Sequence, residues 1–570
     1  MARSKRRGKR RPDAAAAERA ADVAASPEQP KAASPGQRTN GRRGASSEEE
    51  SRPLSALQHV TPWLPMLLVV LTVLVFARTW QYDFLEWDDV SLIVDNPRFD
   101  PPTAAGLLAF WTDDFQGFYS PLTYTAFWLQ AAAFGMNGGR FHIVNLVLHA
   151  ANVVLVFLLV KTLVTAYSAR RARESEGRSR RAQTAALSCP AAPWLAAAAA
   201  LLFAVHPLQV EAVAWVTAIK DLLSTFFALL AMLFYFGRPR AGSGPLRYWP
   251  PGTVWYVLAL LAKPTVVVLG PIAVALDIGV YGKDWRSAVR DVALWLVLAV
   301  PMAVVTKLVQ PSEMLEQVAP MWLRPFVAAD AVQFYLAKLL APMHLAPDYG
   351  RTPEWLLYSE TWRWAWIVPF ALLLLAIYAA RRGARLPLFL YATFVLALAP
   401  VLGIVPFLYQ RQSTVADHYM YLPFVVVAIG AGLVLAQLSG RRQAGAVAAV
   451  TAVAAVLAVL SLAQLPHWRD DAAFFTYALE RHQDGTLLHM TYGQSLFKDK
   501  RYGESLIQFR WAADLRPHPD IYNNIGITLV NLKKYDEARA SFERALELDP
   551  TDQSAVGNLA RLDKMLGNQE

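Results

Sequence analysis

Between Pro62 and Leu465 the chain returns repeatedly to apolar runs close to the length needed to cross a bilayer, and this recurrence limits the fold more than any other feature. In hydrocarbon each backbone amide and carbonyl must be satisfied within the protein, so runs of this kind form helices. About eleven spans can be placed, at 62–78, 141–165, 192–206, 219–236, 251–262, 264–281, 291–308, 362–380, 386–403, 421–438 and 444–464. The 251–262 run is short, and Lys263-Pro264 separates it from the next, the pattern of a broken or re-entrant pair. Segments 121–136 and 329–346 are apolar but flanked by polar loops, and are expected to lie at or dip into the outer surface. With 55% hydrophobic residues in 570, the chain is all-α and polytopic rather than an ordinary soluble protein.

Charge orients the spans. The formal net charge of +10 sits largely in the first 53 residues and in short loops, "SARRARESEGRSRRA" (168–182), "GRPRAGSGPLR" (237–247), "GKDWRSAVR" (282–290), "RRGAR" (381–385) and "GRRQ" (440–443). All five loops are cytoplasmic under one alternation of spans, so the charge is a positive-inside bias and no nucleic-acid partner is expected. Residues 1–57 lack a core-forming composition and are expected to be a disordered basic cytoplasmic tail, followed by a membrane domain at 58–465. An odd number of spans puts residues 466–570 outside the cytoplasm. The single cysteine, Cys189, excludes an internal disulfide.

The same alternation collects ionisable residues on the outer side. They come from "FLEWDDVSLIVDNPRF" (84–99), "HPLQVEAVAW" (206–215), Lys220-Asp221, Lys263 and "RQSTVADHYMYLP" (411–423). A charge at the bilayer centre costs about 2.5–3.5 kcal/mol or more, so such residues should line a wet cavity. No nucleotide-binding signature is present, and an enzyme on that side needs an activated substrate arriving within the membrane. A sugar on a polyprenyl phosphate meets this need: its phosphate leaves as an anion and needs cations, and a hydroxyl acceptor needs a carboxylate base. Asp88, Asp89 and Glu211 are the candidate catalytic carboxylates; His206, Lys220, Lys263, Arg411 and His418 are candidates to bind the donor phosphate; Asp221, Asp417 and Tyr419 are expected to organise the site. No metal ligands are assigned, and assistance by a divalent ion is left open.

After Leu465 a 33-residue repeat emerges. Gly493 and Gly526, Tyr502 and Tyr535, Phe509 and Phe542, Ala512 and Ala545, Pro517 and Pro550 coincide, the tetratricopeptide pattern of paired helices with an aromatic plug. "WRDDAAFFTYALERH" reads as half of an earlier unit and "AVGNLARLDKMLG" as a terminal helix. Such a solenoid commonly binds peptide segments, so an acceptor protein or peptide is the expected partner, and an array this short is expected to dock on the membrane domain.

The motifs "WDDVSLIVDNP", "YSPLTYTAFW", "FHIVNLVLHAANVVLVFLL", "HPLQVEAVAWVTAIKDLLS", "LAKPT" and "ADHYMYLP" resemble the transmembrane and tetratricopeptide repeat-containing proteins, over about residues 60 to 565. That resemblance implies a C-type glycosyltransferase that O-mannosylates protein from a polyprenyl-phosphate-sugar, with the catalytic carboxylate on the first outer loop at Asp88-Asp89. Asp-His-Tyr at 417–419 stands where the family commonly has Asp-Arg-Tyr, and the repeat array is shorter than is usual there. The Ala-, Arg- and Pro-rich composition points to a bacterial inner or plasma membrane. The competing readings are an O-antigen ligase or polymerase, a transporter, and a non-enzymatic membrane scaffold presenting the repeats.

Overall fold

The structure is a computed structural model, and it describes residues 58–176, 189–237, 250–310 and 319–567. The amino-terminal tail and the parts of the two basic loops at 177–182 and 238–247 lie outside the described residues. Apart from two isolated bridges, Phe99 with Pro102 and Phe115 with Phe118, the described residues contain no β structure.

Every apolar run placed from the sequence is helical, but the expected count of eleven spans is not reached. Among the described residues, six helices are long and apolar enough to cross a membrane: His59–Gln81, Gly138–Glu174, Val216–Phe236, Trp362–Arg381, Asp417–Leu435 and Gly440–Trp468. Two bent pairs, Ala192–Val205 with Pro207–Ala214 (56°) and Trp285–Asp291 with Ala293–Leu308 (60°), raise the number to eight if each counts as one span. Pro251–Ala262, Pro264–Gly279 and Leu386–Val401 are shorter. At about 1.5 Å per residue a helix of a dozen residues falls well short of a hydrocarbon core about 30 Å thick. Proline sets the break between Pro251–Ala262 and Pro264–Gly279, because Pro264 cannot donate a backbone hydrogen bond and Lys263 before it is extended.

One long helix, Gly138–Glu176, reaches carbonyls at these bends and in the helix that follows them. Asn145 donates to the Trp215 carbonyl (2.9 Å) and Asn152 to the Leu222 carbonyl (2.9 Å), while the His149 ring lies 3.0 Å from the Ala204 carbonyl and 2.8 Å from the Tyr421 hydroxyl. These three side chains lie four and three residues apart, on one helix face, and all are fully buried. The stripe thus serves the bundle interior.

The loop after the first span carries two helices of its own, Ala104–Thr112 and Pro121–Phe134. Phe99, Phe110, Tyr124, Phe127 and Phe141 pack there into a separate aromatic core. Helices also occur at Arg324–Leu340 and throughout the carboxyl-terminal region, from Asp471–Arg481 to Gln553–Gly567. In the repeats, a Cβ on Gly493 would lie 2.7 Å from the Phe509 ring and one on Gly526 would lie 2.5 Å from the Phe542 ring, so these glycines are the gaps that admit the aromatic plugs. The repeat region does not stand apart. Phe474, Phe475, Ala478 and Leu488 belong to the same hydrophobic core as the membrane helices.

Candidate active site

Between Val205 and Ile219 the chain turns through two short helical pieces, Pro207–Gln209 with Val210–Ala214, then Val216–Ala218, with His206 and Trp215 extended between them. All of these residues are buried. The turns place backbone amides and side chains where other helices begin and end.

The loop after the first span docks here. Asp89 Oδ1 accepts from the Thr217 amide at 2.8 Å and from its hydroxyl at 2.6 Å, and Oδ2 accepts from the Leu85 amide at 3.1 Å. Asp89 is therefore pinned and fully buried. Its neighbour differs: Asp88 is half-buried, and its carboxylate accepts no hydrogen bond among the described residues. Burial pushes the Asp88 carboxyl above the usual carboxylate range, opposed by the Lys220 ammonium nearby. Burial pushes Asp89 up to about 7, against the pull of its three donors.

Glu211 accepts from the His418 amide at 2.9 Å with one oxygen and lies 2.8 Å from His418 Nδ1 with the other. Both of its oxygens are committed. Asp417 accepts from the Tyr349 hydroxyl at 2.7 Å. Lys263 and Asp221 form an ion pair at 2.5 Å, which leaves Asp221 Oδ2 buried without a partner among the described residues. Lys263 also lies over the Tyr419 ring, 5.5 Å from its centroid, and Lys220 lies over Trp215 at 5.1 Å. Lys220 has no carboxylate within ion-pair distance among the described residues.

Asp88, Asp89, Glu211, Lys220, Asp221, Lys263, Asp417, His418 and Tyr419 therefore come together as one cluster, linked through Trp215, whose ring lies 5.5 Å from that of His418. Two expected members do not fit their assigned part. His206 has both ring nitrogens engaged by backbone, Nδ1 accepting from the Leu208 amide (3.2 Å) and Nε2 against the Leu339 carbonyl (3.2 Å), so it shapes the turn and has no nitrogen left for a phosphate. Arg411 is exposed in a short helical turn, Leu408–Arg411, and makes no ion pair among the described residues. Sequence reasoning missed Thr217 and Trp215, although both lie in the quoted 206–224 motif. It also missed Tyr349, which had no signal because its partner is 68 residues away. Among the described residues no three His, Cys, Asp or Glu side chains group closely enough to hold a metal ion.

Fold and site together define a helical membrane protein with a buried carboxylate and ammonium cluster at converging helix ends and a tetratricopeptide solenoid packed against it. The tetratricopeptide repeat family model matches residues 519–552. The mouse protein O-mannosyl-transferase TMTC4 is 31% identical over 264 residues, 41% of this chain and 33% of that protein. The fruit-fly protein O-mannosyl-transferase Tmtc3 is 25% identical over 554 residues, 84% of this chain and 58% of that protein. Human protein O-mannosyl-transferase TMTC1 is 33% identical over 182 residues, 30% of this chain and 17% of that protein. The chain is thus similar to part of each of these O-mannosyl-transferases, and it carries a tetratricopeptide repeat of its own. It spans about a third of the first relative's length. No solved structure matches it.

Proposed function

We propose that this protein moves a hexose, with mannose the first candidate, from a polyprenyl-phosphate donor to a hydroxyl of a protein acceptor, on the extracytoplasmic side of a membrane. The relatives' named activity supports transfer to protein, and the observation that carries the chemistry is the placing of an unbonded carboxylate, Asp88, near an ammonium, Lys220, that makes no ion pair among the described residues. In this reading Asp88 takes the acceptor's proton as the new bond to the sugar forms, while Lys220 offsets the charge growing on the departing phosphate. Lys263 adds positive charge and Asp221 holds it in place. Glu211, with both oxygens occupied, fixes the 417–419 turn.

The sidedness draws support from the opposite end of the bundle. There Arg170, in one basic segment, donates to the Gly279 carbonyl (3.1 Å) beside another, so two positively charged segments meet away from the carboxylates. A groove of about 320 Å³ lined by Glu86 and by Gln494, Lys498, Asn524, Ile527 and Thr528 of the repeats opens beside the Asp88 loop and would seat the acceptor polypeptide.

The test incubates the purified full chain with radiolabelled polyprenyl-phosphate-mannose and a Ser/Thr-rich acceptor protein. Label on the protein supports the reading. Label only in lipid-linked glycan favours a ligase, and no transfer with any polyprenyl-phosphate hexose favours a scaffold; either result overturns it.

A further inference from the structure

The loop that carries Asp88 is held from its far side by the repeats. Asp471, in the first repeat-region helix, accepts from the Glu86 amide at 2.8 Å with one oxygen and from the Ser495 hydroxyl at 2.5 Å with the other. That helix does not need Asp471 as a cap, because Asp470 already accepts from the Ala473 amide at 2.9 Å. Lys498, in the next helix, bridges Glu86 at 2.8 Å and Asp95 at 3.3 Å, and so ties together the two ends of the stretch that contains Asp88. The Asp83 amide donates to the Arg469 carbonyl at 3.1 Å, and the Trp87 ring lies 5.9 Å from that of Phe474. From the membrane side this stretch is held through Asp89. The carboxylate between these two sets of contacts is the one left unbonded.

We propose that Asp471 and Lys498 are positioning residues for the reaction centre, holding residues 83–95 so that the Asp88 carboxylate faces Lys220. The proposal rests on the transferase reading for its kinetic consequence, and on geometry alone for the clamp. A misplacement of about 1 Å in a reacting group can cost as much as a hundredfold in rate, so a loosened loop should lower turnover without weakening donor binding. The repeats are then part of the active site as well as a docking surface.

The experiment compares full-length protein in lipid nanodiscs with Asp471→Ala, Asp471→Asn, Lys498→Ala and Lys498→Arg. Lys498 is half-exposed, so its removal spares the fold even if Asp471→Ala does not. Expected are a fall in kcat of between about tenfold and a hundredfold in both Ala variants, with KM for the donor nearly unchanged. Hydrogen exchange should quicken over 83–95 while 519–552 stays as protected as before. Asn at 471 keeps an acceptor for the Glu86 amide and Arg at 498 keeps the charge, so both should restore most of the rate. Unchanged exchange over 83–95 in Lys498→Ala, or a loosened loop with normal kcat, overturns the proposal. If the unaltered chain moves no label, the transferase reading falls, and faster exchange confined to 83–95 still upholds the clamp.

Discussion

Asp89 and Thr217 are joined by two hydrogen bonds, at 2.8 and 2.6 Å, across 128 residues of chain. This pair anchors the loop after the first span to the turn between two membrane helices, and it separates two adjacent aspartates into different parts. Asp89 holds the loop, and Asp88 is left unbonded near Lys220.

Exchanging each carboxylate for an amide tests that division. Asp88→Asn should leave thermal stability near that of the unaltered protein and lower turnover by about a hundredfold or more. Asp89→Asn should act chiefly on stability, because an amide offers one acceptor where three donors converge and turns an N–H towards the Leu85 amide. Thr217→Val should resemble Asp89→Asn. Normal turnover in Asp88→Asn, with Glu211→Gln inactive, would move the base to Glu211.

The pH dependence of stability follows from Asp89. Its carboxyl titrates near 3.8 when free and is pushed up to about 7 in the folded protein. The folded state thus holds this proton more tightly, so its contribution to stability is complete below about pH 4 and is lost as pH rises through about 7. Melting midpoints measured across that window should fall more steeply for the unaltered protein than for Asp89→Asn. Equal slopes would refute the assignment.

Activity should follow Asp88 with the opposite sense, because a base works when ionised. Burial raises its carboxyl, so the acid limb of kcat/KM should lie above the ordinary carboxylate range. Lys220 counteracts that rise, so Lys220→Met should move the limb to higher pH as well as weaken donor binding. A limb that stays in place in Lys220→Met would show that Asp88 is not the group being read.

The two lysines should separate in their effects on folding. Lys263→Ala leaves Asp221 buried and unpaired and should destabilise by about 3–5 kcal/mol, whereas Asp221→Leu combined with Lys263→Met should recover part of the loss. Lys220→Ala breaks no ion pair and should change donor affinity with little effect on melting. Denaturation of the three variants in one lipid composition distinguishes these outcomes.

In the repeats, Gly526→Ala sets a methyl group against the Phe542 ring. Overpacking of this kind costs about 1–3 kcal/mol, so the repeats should lose exchange protection first over 519–552. Unchanged protection there would mean that the aromatic plug can shift without cost.

Much of this architecture is legible along the chain, because it depends on neighbours in sequence. Apolar run length commits a segment to helix in a bilayer, and a 33-residue spacing of Gly, Tyr, Phe, Ala and Pro commits the last hundred residues to stacked helix pairs. The ionisable residues of the cluster could be gathered for the same reason, since they lie in short stretches beside the apolar runs. Which of them does what is a matter of hydrogen-bond partners far away in sequence. Asp88 and Asp89 are chemically identical until Thr217 claims one of them. His206 looks like a phosphate ligand until the Leu208 amide and Leu339 carbonyl occupy its ring, and Glu211 looks free until His418, 207 residues on, takes both of its oxygens. Composition and spacing determined the helices and the repeats. Only tertiary structure decided which carboxylate is unbonded, because a buried polar group takes whichever partner the packing brings within about 3 Å of it.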